Sequence, residues 1–258
     1  MTKNNITLLG TAIATASAAD AAADQTALDQ AFVALTSYDL GSSRAALLPI
    51  DEAVVASLNN AAARKALEQR LLTPFKSKLS VAAKEYVCRK LGLIGSSAAV
   101  ATLAPLLTDP ELAHAARSAL ETMPDLEAAK ALRDSVPHAK GPFKIGLLNS
   151  LGARRDVGSV PALTALLDDA DAPVAGAAAA ALGNIGTVEA ARALQKFSSK
   201  APESIRLAVA DACLACAERL SADGKKAEAL LLYESLERSS QPSHVQLAAK
   251  LGRSRIEQ

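Results

Sequence analysis

Cys213-Leu-Ala-Cys216 is the one spacing in this chain that matches metal-holding or redox chemistry. A structural zinc needs a second pair of Cys or His at suitable spacing, and none follows. A thioredoxin-type motif needs a βαβ context, and haem attachment needs a His directly after the second Cys; both are missing. Together with Cys88, the three cysteines read as small buried hydrophobes. His114, His138 and His244 are scattered, with no i,i+4 pair of the kind that carries metals on helices. Asp168, Asp169 and Asp171 cluster at a turn without the spacing of a calcium loop, and Asp171 before Pro173 reads as a helix N-cap. Gly224-Lys225 is followed by Lys226 rather than Ser or Thr, so no phosphate loop is present, and no Gly-x-Ser-x-Gly elbow occurs. The chain therefore reads as non-enzymatic, with no cofactor and no metal.

Composition narrows the classes further. Half of the 258 residues are apolar, but aromatics make up only 3 % and there is no Trp. An apolar content made mostly of Ala and Leu suits close-packed helices better than sheets. Lys+Arg 28 against Asp+Glu 27 leaves no global field for nucleic acid. Lys76, Lys78, Lys84, Arg89 and Lys90 do cluster, and read as a solvated helix face. Lys3, an apolar Ile6–Ala16 and Ala16-Ser17-Ala18 have the layout of a secretory leader over residues 1–18, which places the mature chain in the periplasm or outside the cell; a cytoplasmic chain with a fraying Ala-rich leader is the alternative. Cleavage after Ala18 would leave 27 cations against 27 acids. Nothing later approaches the ~18 apolar residues of a membrane span.

The elements that position these residues are helical and repeated. In Ala172-Pro-Val-Ala-Gly-Ala-Ala-Ala-Ala-Ala-Leu-Gly-Asn-Ile-Gly186 a helix starts at Pro173, stops at Leu182-Gly183, and turns through Gly186. The helix-ending residues Leu91, Leu120, Leu151 and Leu182 are 29, 31 and 31 residues apart, and a further 31 reaches Cys213. A fixed period with two helices per unit is the signature of a solenoid. Residues 19–79 read as degenerate end units, with Asp51 as an N-cap; residues 80–215 form the regular array. Residues 216–258 finish it, with a polar C-terminal cap over its outermost face.

The Leu-Gly-x-Ile-Gly turns at 91–95 and 182–186, with the Leu-Leu-x-Asp ends at 106–109 and 166–169, resemble HEAT repeats of the short kind also found in phycobilisome lyases. Gly224, Ala227, Ala229 and Tyr233 resemble one tetratricopeptide-type hairpin. The resemblance implies an all-α, right-handed solenoid of antiparallel helix pairs, in the manner of HEAT and armadillo superhelices. It is specific for fold rather than function, because such arrays serve unrelated roles.

Counting back from each helix-ending residue, places minus 1, 4, 5 and 8 should pack between units, and places minus 2, 3 and 6 should face out along the concave side. Those outward places include Arg89, His114, Arg117, Ile145, Leu148, Asn149 and Leu207. The function this predicts is a scaffold binding another protein or peptide, with Ile145, Leu148 and Leu207 as apolar anchors and Arg89 and Arg117 setting orientation. The alternative is an accessory or lyase-like module serving a chromophore- or sugar-processing enzyme. Oligomeric state has no signature in the sequence.

Overall fold

Side-chain caps and prolines set where the helices begin. In the computed structural model, which describes residues 18–76, 78–239 and 241–258, the Ser80 hydroxyl accepts from the Ala83 N–H at 3.0 Å and Thr187 from Ala190 at 3.2 Å. Asn60 accepts from Ala63 at 3.0 Å. Pro49, Pro142, Pro161 and Pro173 sit in first turns, where no intrahelical donor is lost. The segment read as a secretory leader lies outside the described residues, except for Ala18.

Fourteen α-helices result among the described residues, with no strand: α1 Ala18–Thr36, α2 Leu48–Ser57, α3 Ala61–Leu72, α4 Val81–Ile94, α5 Ser97–Leu103, α6 Ala113–Thr122, α7 Leu126–Ser135, α8 Gly141–Ala153, α9 Val160–Leu166, α10 Ala172–Ile185, α11 Val188–Ser198, α12 Arg206–Ala222, α13 Lys226–Glu237 and α14 Ser243–Glu257. Even-numbered helices from α2 to α14 stack as one layer, and odd-numbered helices stack as the other. One continuous apolar cluster runs between them from Ala31 to Ala249. The chain is an all-α solenoid.

Three local expectations are corrected. Asp51 is not the N-cap of α2, because the helix already starts at Leu48 with Pro49 in its first turn. Asp171 occupies the N-cap place of α10 but makes no capping bond through its side chain. The Leu-Gly pairs do not end helices: α4, α8 and α10 run on to Ile94, Ala153 and Ile185. These glycines are instead places of close approach. A Cβ on Gly152 would stand 2.8 Å from Ala181 Cα, and one on Gly183 would stand 2.6 Å from the Ala212 carbonyl oxygen. Glycine inside a helix costs about 1 kcal/mol against alanine, and here it lets neighbouring backbones touch. The real stop of α10 is Gly186, left-handed at φ 67°.

The even-numbered layer packs backbone against backbone through these contacts, whereas the odd-numbered helices lie further apart. A stack tighter on one side curves toward that side, so the Ala-rich layer lines the inside of the curve. At the far end the exposed side of α14 is mixed, with His244, Lys250 and Arg255 beside two leucines. Leu247 and Leu251, one turn apart on α14, are 57 % and 50 % exposed.

Two consecutive arginines stitch the array. Arg154 reaches back to the end of α6 and donates to the carbonyls of Leu120 at 2.8 Å, Glu121 at 3.0 Å, Met123, and Asp125 at 3.0 Å. Burial pushes its guanidinium below the ordinary arginine value, against the pull of Asp156 and Asp125. Arg155 reaches forward, donating to the Ile185 carbonyl at 3.3 Å and pairing with Asp223 at 2.6 Å. It holds a left-handed φ of 51°, at the place Gly186 occupies one unit later.

Toward the N-terminus, the basic cluster is only partly a solvated face. Lys90 pairs with Asp51 at 2.6 Å and lies 5.0 Å from the centre of the buried Tyr86 ring. The Tyr86 hydroxyl donates to Asp51 at 2.6 Å. Burial pushes the Asp51 carboxyl up, but hydrogen bonds from Lys90 and Tyr86 and the charges of Lys90 and Arg44 outweigh it, so the group lies below its ordinary 3.8. A depressed carboxylate stabilises the fold above its unfolded value, and that contribution disappears as pH falls through the folded value. Asp51→Asn should therefore lower stability at neutral pH and flatten the loss of stability below the unfolded pKa of 3.8. Urea midpoints across an acid series test this; parallel curves for the two proteins would refute it.

Candidate interaction face

Each helix of the inner layer from α4 to α12 is covered on three sides: by the inner helix before it, by the inner helix after it, and by the odd-numbered layer behind. At 100° per residue, three-sided cover leaves one narrow exposed arc, centred on place minus 2. All five residues at that place are exposed: Arg89, Ser118, Asn149, Ala180 and Asp211. Place minus 6 lies at the margin of the arc. His114 and Leu207 are exposed there, the latter by 44 %, while Ile145 is half-buried.

Place minus 3 is core, which overturns the outward reading of that row. Leu148 is fully buried, as are Cys88, Ala179 and Ala210 to within 1 %. Side chains at this place stand 60° round from the reference leucine, on the side that the next helix of the same layer covers, as Arg117 reaching Ser150 on α8 shows. Leu148 is thus a packing residue and no anchor. Arg117, also at minus 3, escapes only in part, because its guanidinium runs sideways between α6 and α8.

That sideways course opens the most structured part of the face. Arg117 Nη1 donates to Ser150 Oγ at 2.7 Å and pairs with Glu121 at 3.1 Å, and the Ser150 hydroxyl donates to Glu121 at 2.6 Å. Arg117 Nη2 lies 3.1 Å from His114 Nδ1. The side chain passes over Gly146, its Nε 3.1 Å from where a Cβ would stand. A guanidinium therefore separates α6 from α8 where alanine and glycine close the neighbouring interfaces. The result is a cavity of about 190 Å³ lined by His114, Arg117, Pro142, Phe143 and Gly146 among others. Phe143, 43 % exposed at its mouth, stands at place minus 8, where Ala83, Leu112, Val174 and Ile205 are all buried. The sequence reading passed over it, although an aromatic in so aromatic-poor a chain was the available signal.

The structure thus brings His114 and Arg117 together, with Ile145 and Asn149 on the adjoining helix α8. Arg89 lies one helix away on α4, and Leu207 two helices beyond α8, on α12. The polar groups of the cluster satisfy one another, and Ser150 faces a carboxylate acceptor rather than an imidazole. The arrangement fixes the orientation of these side chains.

The cysteines are all buried, and burial pushes each thiol up to about 12. Cys213 and Cys216 lie one turn apart in α12, and no group of three or more His, Cys, Asp or Glu among the described residues could hold a metal ion. The native protein should consume almost no aromatic disulfide reagent at neutral pH, and three thiols once unfolded. A rapid native reaction at any one of them would contradict the buried assignment.

Among known families, the HEAT-repeat model matches residues 138–215. No curated protein matches the chain. Among solved structures, a chain of the complex of CpcE and CpcF of phycocyanin lyase from Nostoc sp. PCC7120 is similar, with 18 % identity over 98 % of this chain and 100 % of that one and a TM-score of 0.42. An engineered protein shares 20 % identity over 88 % of this chain and 96 % of its own, with a TM-score of 0.29. Neither likeness carries any statement about chemistry. Among the described residues no helix is long and apolar enough to cross a membrane.

Proposed function

We propose that this HEAT-repeat chain is a non-enzymatic interaction module that takes a segment of another protein along its Ala-rich inner layer. The observation that carries the reading is the unbroken exposed row Arg89, Ser118, Asn149, Ala180 and Asp211, flanked by Phe143 over its small cavity. In a stack where each unit contacts only its neighbours, such a row forms one extended surface. Phe143, Ile145 and Leu207 supply apolar area, and the mutually fixed His114–Arg117 pair presents a rigid polar edge. Arg89 at one end and Asp211 at the other give the row a direction, so a bound segment is oriented by charge. The leader-like layout of residues 1–18 supports a place in the periplasm or outside the cell.

A photo-crosslinking side chain placed at Asn149, at Ala180, or at Leu126 on the odd-numbered layer tests the reading in the source cells. The expected result is one and the same adduct from Asn149 and Ala180, absent with Leu126 and lost on Phe143→Asp. Adducts from Leu126 alone, or unrelated adducts at each position, would overturn it.

A further inference from the structure

The tight inner packing has a consequence on the opposite side of the molecule. Drawing α8, α10 and α12 together through Gly152 and Gly183 splays the helices behind them, and a groove of about 530 Å³ opens between α9 and α11. On the α9 side it is lined by Val157, 59 % exposed in the turn before the helix, by the exposed Pro161 and the half-buried Thr164, with Val160 buried beneath them. Opposite, Ala193 leaves the floor low, and the rim carries Arg192 and Lys196, one helical turn apart and both exposed. Among the described residues neither cation is in a salt bridge. Glu189, the acid of α11, lines the same groove. Backbone hydrogen bonding in the first turn of the helix holds its carboxyl below the ordinary value, and the charge of Arg192 adds to that. Arg192 is thus partly offset, and Lys196 is the freer cation. The volume lies in the range of real binding clefts.

We infer that this groove is a second docking surface, shaped for an amphipathic helix whose apolar face meets Val157 and Pro161 and whose flanking acids meet Arg192 and Lys196. Two features select that occupant. The groove runs between two helices, so a third helix continues the packing pattern of the layer. The rim cations are spaced one turn apart, which matches carboxylates at i and i+4 of an incoming helix. This surface is independent of the inner row and stands or falls separately.

The probe is a synthetic peptide of about 18 residues, long enough to hold helix in water, with leucines on one face and glutamates beside them. Its twin carries lysine at every glutamate. Fluorescence anisotropy with the full chain should show saturable binding of the acidic peptide, weakened about tenfold or more in Arg192→Glu/Lys196→Glu and in Val157→Glu, and by added salt. The lysine twin should prefer the charge-reversed protein, and Asn149→Glu should change nothing. Circular dichroism of each variant separates lost binding from lost fold. The inference fails if the two peptides bind alike, if charge reversal has no effect, if Asn149→Glu removes binding, or if nothing saturates below about 1 mM. It fails equally if anionic phospholipid vesicles, and not the peptide, respond to the groove variants.

Discussion

Gly183→Val should destabilise the protein by about 3 kcal/mol, lowering Tm by roughly 10 °C for a chain of this size. The glycine lies inside α10, and its position facing α12 leaves no room for a side chain: a Cβ would meet the Ala212 carbonyl oxygen at 2.6 Å and the Ala212 Cα at 3.0 Å. Both are backbone atoms, so relief requires α12 to move as a body rather than one rotamer to turn. The gain in helix propensity on replacing glycine is at most about 1 kcal/mol and does not offset that displacement. Gly176 in the same helix is the matched control. Its nearest neighbour would be Ile205 Cγ2 at 3.8 Å, so Gly176→Ala should be neutral or slightly stabilising. Because units couple only to their neighbours, Gly183→Val should also split the unfolding transition as the two halves of the array separate. Thermal melts followed by circular dichroism read both effects. A Gly183→Val protein that melts like the parent would mean that α10 and α12 are not in backbone contact.

Arg154→Met should cost a comparable amount, about 3 kcal/mol, through a different mechanism. The last carbonyls of a helix have no intrahelical donor, and those closing α6 find theirs in a guanidinium from the following unit. One planar cation reaches the carbonyls of Leu120, Glu121, Met123 and Asp125. Methionine keeps much of the packing and returns those acceptors to partial burial without a donor. Arg154→Lys should rescue less than half of the loss, since a single ammonium cannot span four acceptors fixed by a fork. Urea unfolding measures the size, and amide exchange should quicken first at the α6–α7 corner. Equal stability of the lysine variant and the parent would reduce the residue to a simple charge.

The two variants probe what holds the units together, and the interaction face depends on both. Glycine contacts set how closely inner helices approach, and Arg117 sets the one place where they stay apart. His114, Arg117 and Phe143 are presented outward because α6 and α8 are separated there. The same close approach, expressed on the far side, leaves the groove between α9 and α11.

Sequence alone determined the all-α class, the period of about 31 residues, the two-helix unit and the burial of the three cysteines. These follow from short-range causes: alanine and leucine favour helix, serines, threonines and prolines mark first turns, and a repeated apolar spacing must be buried somewhere. Tertiary structure decided how much of each helix is covered. Helical periodicity distinguishes a buried side from an exposed one, but the width of the buried arc depends on how many neighbours a helix has. Arg89, His114, Asn149 and Leu207 fall on the open arc, whereas Leu148 lies 60° round on a side that is fully covered. The Leu-Gly pairs were visible as glycines, yet whether they end a helix or admit a neighbouring backbone is settled only by where that neighbour lies. Arg154 and Phe143 carried no local signal of their roles, because a carbonyl cluster about 30 residues back and a widened gap between two helices exist only once the units are stacked.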